Sequence, residues 1–502
     1  MNGQQPMTAL RDPATLRHEI RSVGRHSLVY LLGPAFSNLV GFVLIPIYTR
    51  YIDRSQYGVM SLIDVVMTIV MMAIGLGLAE GLTRFYYEQP DTQTRQLLVS
   101  TTVLGSALLS LPMIVLAISF AAGLQRMLGL TDMYVGYLRL ALLTSWFSML
   151  AEIGFSYLRL GYYAKTFVMV TALQIVAAVS LNILFVVGLD WGIWGILYST
   201  AIVQALLGGG LTVVLLSRCG LGICRRQLAE LLRLGTHLVP ATVALQLTNY
   251  LSPLLLRWLL SGDPLTVLAQ IGLFSAGQKI GVVVNRFVTV PFNAFWKPRR
   301  MELAVQNTAD VRHVLARMCS YATLVTCQIA LLVSVGAEDL LRMALHPDYW
   351  EAHRVVPLVC AGYVILGLEH HFGTGMLYAK RTWCAPWIGV VALLVLVVAD
   401  LFMIPRFGIV AAAGATVMSV TVRSGLFYAV SQRYYRIPYE LSRLGSMAIL
   451  AWMLYWIAMQ IHLPSVPAQF AARLAVGFCF APCSLMLGVI HTAELRGVLA
   501  RT

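Results

Sequence analysis

Apolar positions in this chain fall in long unbroken runs, not in the alternating or three-and-four spacing of a half-buried soluble element. Runs of about twenty apolar residues, the length that crosses a bilayer as a helix, recur near 28–49, 57–82, 96–120, 133–155, 166–188, 191–215, 236–260, 269–293, 314–337, 351–372, 384–404, 408–430, 444–462 and 468–491. The pattern predicts an all-α, polytopic membrane protein of about fourteen transmembrane helices. The first two runs, Leu28 to Thr49 and Tyr57 to Leu78, are joined by a turn too short to hold a domain. The 26 residues before Ser27 are polar, so the run after them reads as a full span and not as a cleaved signal. In this leader Asp12 and Pro13 can start a short helix with Leu16, Ile20 and Val23 opposite Arg17, Arg21 and Arg25. A helix lying on an anionic leaflet and a plain tail both fit.

Composition sharpens the class. The 502 residues are 59% hydrophobic and 12% charged, with a mean hydropathy of +0.76, and a soluble domain would carry about twice that charged fraction. The net charge of +14 fits nucleic acid or basic loops, and the positions favour loops. With the N-terminus inside, that side collects the leader arginines, Arg84, Arg95, Arg159, Lys165, Arg218, Arg225, Arg226, Arg233, Lys297, Arg299, Arg300, Arg312, Arg317, Lys380, Arg381, Arg433, Arg436, Arg443, Arg496 and Arg501. The opposite side keeps Arg50, Arg54, Arg126, Arg342 and Arg406, and its loop around Glu338, Asp339 and Asp348 is acidic. Both termini are therefore expected in the cytoplasm. The eight cysteines show no disulfide or zinc spacing and read as small buried apolar residues.

A repeat organises the runs. GPAFSNLVGFVLIP in the first returns as VPATVALQLTNYLSP in the seventh, pairing Pro34 and Pro46 with Pro240 and Pro253. QYGVMSL at Gln56 returns as QIGLFSA at Gln270, and NILFVVGLDWGIWG from Asn182 has a weaker echo in DLFMIPRFGIVAAAG from Asp400. Six helices between copies return the chain to the same side, so the halves are parallel repeats about an axis along the membrane normal. The expected division is a leader at 1–26, an N-lobe at 27–217, a linker at 218–235, a C-lobe at 236–432 and a terminal helix pair at 433–502.

Charges inside apolar runs are costly unless they face protein or water. Lys279 and Arg286, seven residues apart in the eighth run, share a helix face. They read either as a cationic lining that pairs with phosphate or as cations neutralised by neighbouring carboxylates. Arg50, Arg54 and Arg257 lie at outer helix ends, as a shared vestibule or as side chains reaching to headgroups. Arg84 follows Glu80 by four residues, which favours an intrahelical pair over a binding role. Asp64, Glu152, Glu369 and Asp400 are the intramembrane acids, with His370 and His371 beside Glu369. Asp64, Glu369 and Asp400 are candidates for coupling transport to a proton or sodium ion, or for balancing Arg139 and Arg423. Gly75, Gly77 and Gly81 sit in an apolar run at the wrong spacing for a nucleotide loop and read as close helix packing. Tyr48, Tyr51, Tyr57, Tyr86, Tyr87, Phe295 and Trp296 gather at helix ends, as aromatic belts or as platforms for sugar rings.

IPIYTRYIDRSQYGVMSL followed by GLGLAEGLTRFYYE resembles the opening helix pair of bacterial polysaccharide flippases. These are Wzx-type transporters of the multidrug/oligosaccharidyl-lipid/polysaccharide (MOP) superfamily. AGQKIGVVVNRFVTVPFNAFWKP and MLYAKRTW stand where such transporters have matching segments, and the resemblance spans roughly residues 25 to 440. Where many relatives carry an Asp-Arg pair at the end of the seventh helix, this chain has Leu256 and Arg257. The resemblance implies two six-helix lobes around a central cavity, with two further helices at the end. It also implies an undecaprenyl-diphosphate-linked oligosaccharide as substrate, carried across a bacterial inner membrane for capsule, exopolysaccharide or O-antigen synthesis. A polysaccharide polymerase and a chain-length regulator are the implied partners.

Other classes fare less well. There is no Walker sequence, zinc spacing or nucleophile elbow, so no cofactor, metal or enzyme activity is expected. A membrane glycosyltransferase or polymerase would need a sizeable outer loop, and the outward loops here are short. Within the superfamily the alternatives are a cation-coupled multidrug antiporter and a peptidoglycan-precursor flippase.

Overall fold

The computed structural model describes residues 44–306, 309–379, 381 and 383–486. The leader, most of the first expected span, Lys380 and the basic residues after Met486 lie outside them. Among the described residues there is no strand, and the chain order is α1 (Arg54–Gly75), α2 (Leu78–Phe85), α3 (Thr92–Ser119), α4 (Val135–Leu160), α5 (Ala164–Asn182), α6 (Gly192–Cys219), α7 (Arg225–Tyr250), α8 (Ser252–Leu259), α9 (Pro264–Gly281), α10 (Val290–Gln306), α11 (Ala309–Ala344), α12 (Val356–Phe372), α13 (Cys384–Tyr434), α14 (Leu441–Met459) and α15 (Val466–Phe478), with shorter helical turns between them.

Local chemistry sets the boundaries. Asp53, Asp91 and Asp263 each stand before a helix and accept hydrogen bonds from its first amides: Ser55 N at 2.9 Å, Thr94 N at 2.7 Å and Leu265 N at 3.1 Å. The Thr94 amide and hydroxyl hold the exposed Asp91 carboxyl below its usual range. Pro264 begins α9 without forfeiting a bond, because its missing N–H is one of the helix's unpaired donors. The 51 residues of α13 would span about 75 Å as one straight helix. The backbone breaks instead at Gly408, at φ 59 and ψ −135, three residues after Pro405. The expected spans 384–404 and 408–430 are the two arms of this break.

Eleven of the described helices are long and apolar enough to cross a membrane. The architecture is a polytopic all-α membrane protein; the count of fourteen is not reached among the described residues. The first expected span falls mostly outside them, the two arms of α13 are counted together although the backbone breaks between them, and α7 begins with Arg225, Arg226, Glu230 and Arg233.

The repeat meets itself at one crossing. A methyl group on Gly58 would overlap the Leu268 carbonyl, and one on Gly272 would overlap the Arg54 carbonyl. Three residues further on, the Ser61 and Ser275 hydroxyls share a hydrogen bond at 2.5 Å. Each pair is 214 positions apart, so equivalent residues of QYGVMSL and QIGLFSA face each other about a local twofold. Only glycine lets the two backbones approach this closely. A second crossing, Gly77 against Gly235, lies toward the basic end of the bundle, where Arg218, Arg225 and Arg226 are found.

One charge reading is corrected. Glu338 and Asp339 do not lie in an outer loop but within α11, where Arg473 of α15 contacts them at 2.9 and 3.1 Å. Asp339 is fully buried and Arg473 only 1% exposed. Gln469 donates to Asp339 at 2.7 Å and Arg342 pairs with Glu338 at 2.6 Å. A charge taken out of water needs several partners of this kind, and these tie the terminal helices to α11. All eight cysteines are free thiols.

Candidate functional site

Between α1, α4, α7, α9, α12 and α13 lies a cavity of about 690 Å³. Its lining mixes polar and apolar side chains, because each apolar helix contributes a few polar residues on one face. Lys279, in the last turn of α9, and Arg286 both line it, as their shared spacing predicts. Beyond Gly281 the helix loosens into a π-turn over Asn285–Thr289, which carries Arg286. Such wide turns are frequent at functional sites.

Asp64 of α1 faces the same cavity, its Oδ2 4.0 Å from Lys279 Nζ. Both side chains are open to the cavity, 51% and 38% exposed, and an ion pair this long holds its partners weakly. Lys279 also stands 4.8 Å from the ring centre of Tyr57, a cation–π contact. Tyr57 is buried edge-on against Tyr349 at 5.8 Å, and the Tyr349 hydroxyl donates to Ile52 O at 2.9 Å. These rings fix the lysine at the end of the cavity next to the Gly58 and Gly272 crossing.

Opposite, Glu369 of α12 accepts from Arg423 Nε at 2.6 Å. Arg423 also donates to Thr248 Oγ1 at 2.6 Å and Leu245 O at 3.3 Å. With the arginine side chain 3% exposed and the glutamate 13%, this is a dry, satisfied pair. Glu369 is thus paired with Arg423, and both residues also line the cavity. Asp400 does not line the cavity; it is fully buried in α13, beside Ser252 of α8.

The other expected cations are not brought together. Arg50 and Arg54 are exposed and do not line the cavity. Arg257 donates to the carbonyls of Leu128, at 2.9 Å, and Gly129, while Trp258 Nε1 donates to Met127 O at 3.0 Å. The pair caps the C-terminal end of the short helix Ala121–Met127, so Arg257 locks two segments together, and it does not line the central cavity. The expected pair between Arg84 and Glu80 is not formed: Arg84 lies over the Phe85 ring at 5.7 Å, and Glu80 lines a separate 130 Å³ pocket with Glu152. Glu152 itself pairs with Arg159 at 2.8 Å.

Sequence reasoning missed the cavity's amides. Gln246, Asn249, Gln278 and Asn285 all line it. Asn249 Nδ2 donates to Gln246 Oε1 at 3.3 Å and Gln278 Nε2 to Asn249 O at 3.2 Å, joining α7 to α9. The signal was present: Gln246 and Asn249 stand three apart, and Gln278 and Asn285 seven apart, within apolar runs. Among the described residues no group of three His, Cys, Asp or Glu side chains is placed to hold a metal ion.

Comparison with known proteins agrees with this architecture. A model of the family described as "Polysaccharide biosynthesis protein" matches residues 23–303, more than half of the chain. Among solved structures, the lipid II flippase MurJ in an inward closed conformation is similar with a TM-score of 0.72 at 12% identity, over 91% of this chain and 99% of its own. The Vibrio cholerae MATE transporter VcmN is similar at 0.60 and 14% identity, over 82% and 97%. An inward-facing multidrug resistance MATE family transporter of the MOP superfamily gives 0.59 and 14%, over 84% and 96%. No curated protein matches the sequence. At these identities the structures speak for the fold alone, and the family model for the lineage: the chain belongs to the polysaccharide biosynthesis protein family.

Proposed function

We propose that the chain carries an undecaprenyl-diphosphate-linked oligosaccharide unit from the cytoplasmic to the periplasmic leaflet of a bacterial inner membrane. The observation that supports this most is the convergence of Lys279 and Arg286 on one polar cavity inside a polysaccharide-family membrane protein. A diphosphate matches these two cations, the arginine by its planar fork and the lysine as a point charge. The amides of Gln246, Asn249 and Gln278 offer donors and acceptors suited to sugar hydroxyls. The prenyl tail stays in lipid, and the lobes 27–217 and 236–432 rock about the cavity, with both termini in the cytoplasm.

ATP is not required for this transfer. An interior-negative potential favours outward movement of negative charge by about 2.3 kcal/mol per charge per 100 mV, or roughly 5 kcal/mol for a diphosphate with about two charges. Asp64, beside Lys279, and Asp400, fully buried in α13, are the acids we assign to binding a coupling proton or sodium ion. The unit is handed to a polymerase with its chain-length regulator.

The test is export. Lys279→Glu and Arg286→Glu, expressed in a strain lacking the chromosomal copy, should abolish surface polysaccharide while the protein still inserts and folds. Unchanged export would remove both residues from the mechanism. A peptidoglycan-precursor flippase is the second reading, favoured by likeness to the MurJ fold; it requires deletion of the gene to be lethal, where the first requires only loss of polysaccharide. The paired cations speak against a multidrug antiporter for cationic compounds.

A further inference from the structure

The ion pairs within the bundle are of two kinds. Arg473 with Asp339 and Arg423 with Glu369 are close and dry, at 3.1 and 2.6 Å with no partner more than 13% exposed. Asp64 and Lys279 stand 4.0 Å apart and are open to the cavity. A long, open pair gives up its partner easily. Its place in the fold gives that exchange a consequence. Asp64 follows Ser61 by three residues and Lys279 follows Ser275 by four, so one helical turn leads from the crossing of α1 and α9 to the pair. The two helices carry equivalent segments of the two repeats. The pair therefore bridges the repeats at the end of the cavity that the crossing frames, and its attraction adds to the contact of Gly58 with Gly272.

Arg286 lies seven residues beyond Lys279, about 10 Å along the helix. A diphosphate held by both cations must lie between them. Lys279, a point charge on a flexible stem, reaches it by turning along its own helix and leaving the carboxylate on α1. The diphosphate brings more charge and more acceptor oxygens than one carboxylate, so the exchange favours it. Two effects then act on the crossing: the bridging attraction is gone, and an anion stands beside a carboxylate of the facing helix, where like charges repel.

We infer that Asp64 stands in for the substrate's phosphate, holding Lys279 in the empty cavity until the arriving diphosphate displaces it and loosens the α1–α9 crossing; this rests on the diphosphate substrate proposed above. The experiment uses the full-length protein in detergent, with farnesyl diphosphate as probe, farnesol as its uncharged control and binding read by isothermal titration calorimetry. Asp64→Asn should bind the diphosphate about three- to fivefold more tightly than the wild type, the worth of an open ion pair. Asp64→Glu, which keeps the charge, should bind it no more tightly. In a Lys279→Gln background Asp64→Asn should gain about twofold at most, because no cation is left to release. In Ser61→Cys, Ser275→Cys protein without the native cysteines, the diphosphate should slow disulfide formation severalfold and farnesol should not. Failure of the wild-type protein to bind the probe would overturn this inference together with the proposed substrate. Binding by the wild type with no gain in Asp64→Asn, an equal gain without Lys279, or an unchanged rate of cross-linking would overturn it alone.

Discussion

At the scale of the residue, two kinds of intramembrane charge emerge, and they predict opposite mutational behaviour. Arg473 is dry and bound by Glu338, Asp339 and, through Asp339, Gln469. Removing it as Arg473→Met leaves Asp339 buried without its counter-ion and should cost about 3–5 kcal/mol, read as a lowered unfolding midpoint in detergent; adding Asp339→Leu should recover part of the loss. Asp64 and Lys279 face an open cavity at 4.0 Å, so Asp64→Asn should change stability by about 1 kcal/mol or less. Export lost in a stably folded Asp64→Asn protein would mark a role in transport and not in folding. Lys279 and Arg286 were legible in the sequence because a charge in an apolar run stands out and seven residues return to the same face. Their surroundings were not. Arg423 finds Glu369 across 54 positions and Arg473 finds Asp339 across 134, pairings set by tertiary packing that no local spacing encodes.

Helices were legible by length and their irregularities only in part. Pro405 and Gly408 announce the break in α13, since proline forfeits a donor and glycine alone adopts its backbone angles freely. The π-turn over Asn285–Thr289 has no such signature, because a shift from four-residue to five-residue bonding leaves composition unchanged. The contacts of Arg257 were hidden for a related reason: the short helix whose carbonyls it caps lies just past a span that reads as ending at residue 120. The element that matters most for movement is the crossing of α1 and α9. With the Ser61 and Ser275 hydroxyls 2.5 Å apart, Ser61→Cys with Ser275→Cys, in a background without the native cysteines, should cross-link on mild oxidation. If these helices part during transport, the cross-linked protein should stop exporting and recover on reduction. Export by the oxidised, fully cross-linked protein would show that the crossing stays closed throughout.

For the whole molecule, the repeat in QYGVMSL and QIGLFSA was the most informative feature of the sequence. It foretold the pairing of Gly58 with Gly272 and Ser61 with Ser275 that frames one end of the cavity. The number of spans was less legible, because α7 carries charge over its first third, while the two spans read at 384–404 and 408–430 meet the two arms of α13 on either side of Gly408. The central claim is that one wall of the chamber is positive so that it can hold a diphosphate. The most direct measurement is translocation of a fluorescent undecaprenyl-diphosphate-linked oligosaccharide in proteoliposomes containing only the purified chain. The wild-type protein should move it across the bilayer, and the folded Lys279→Glu, Arg286→Glu double variant should lose at least 90% of that rate, roughly the tenfold expected from about 1.4 kcal/mol of lost binding. Wild-type rates from the double variant would contradict the account.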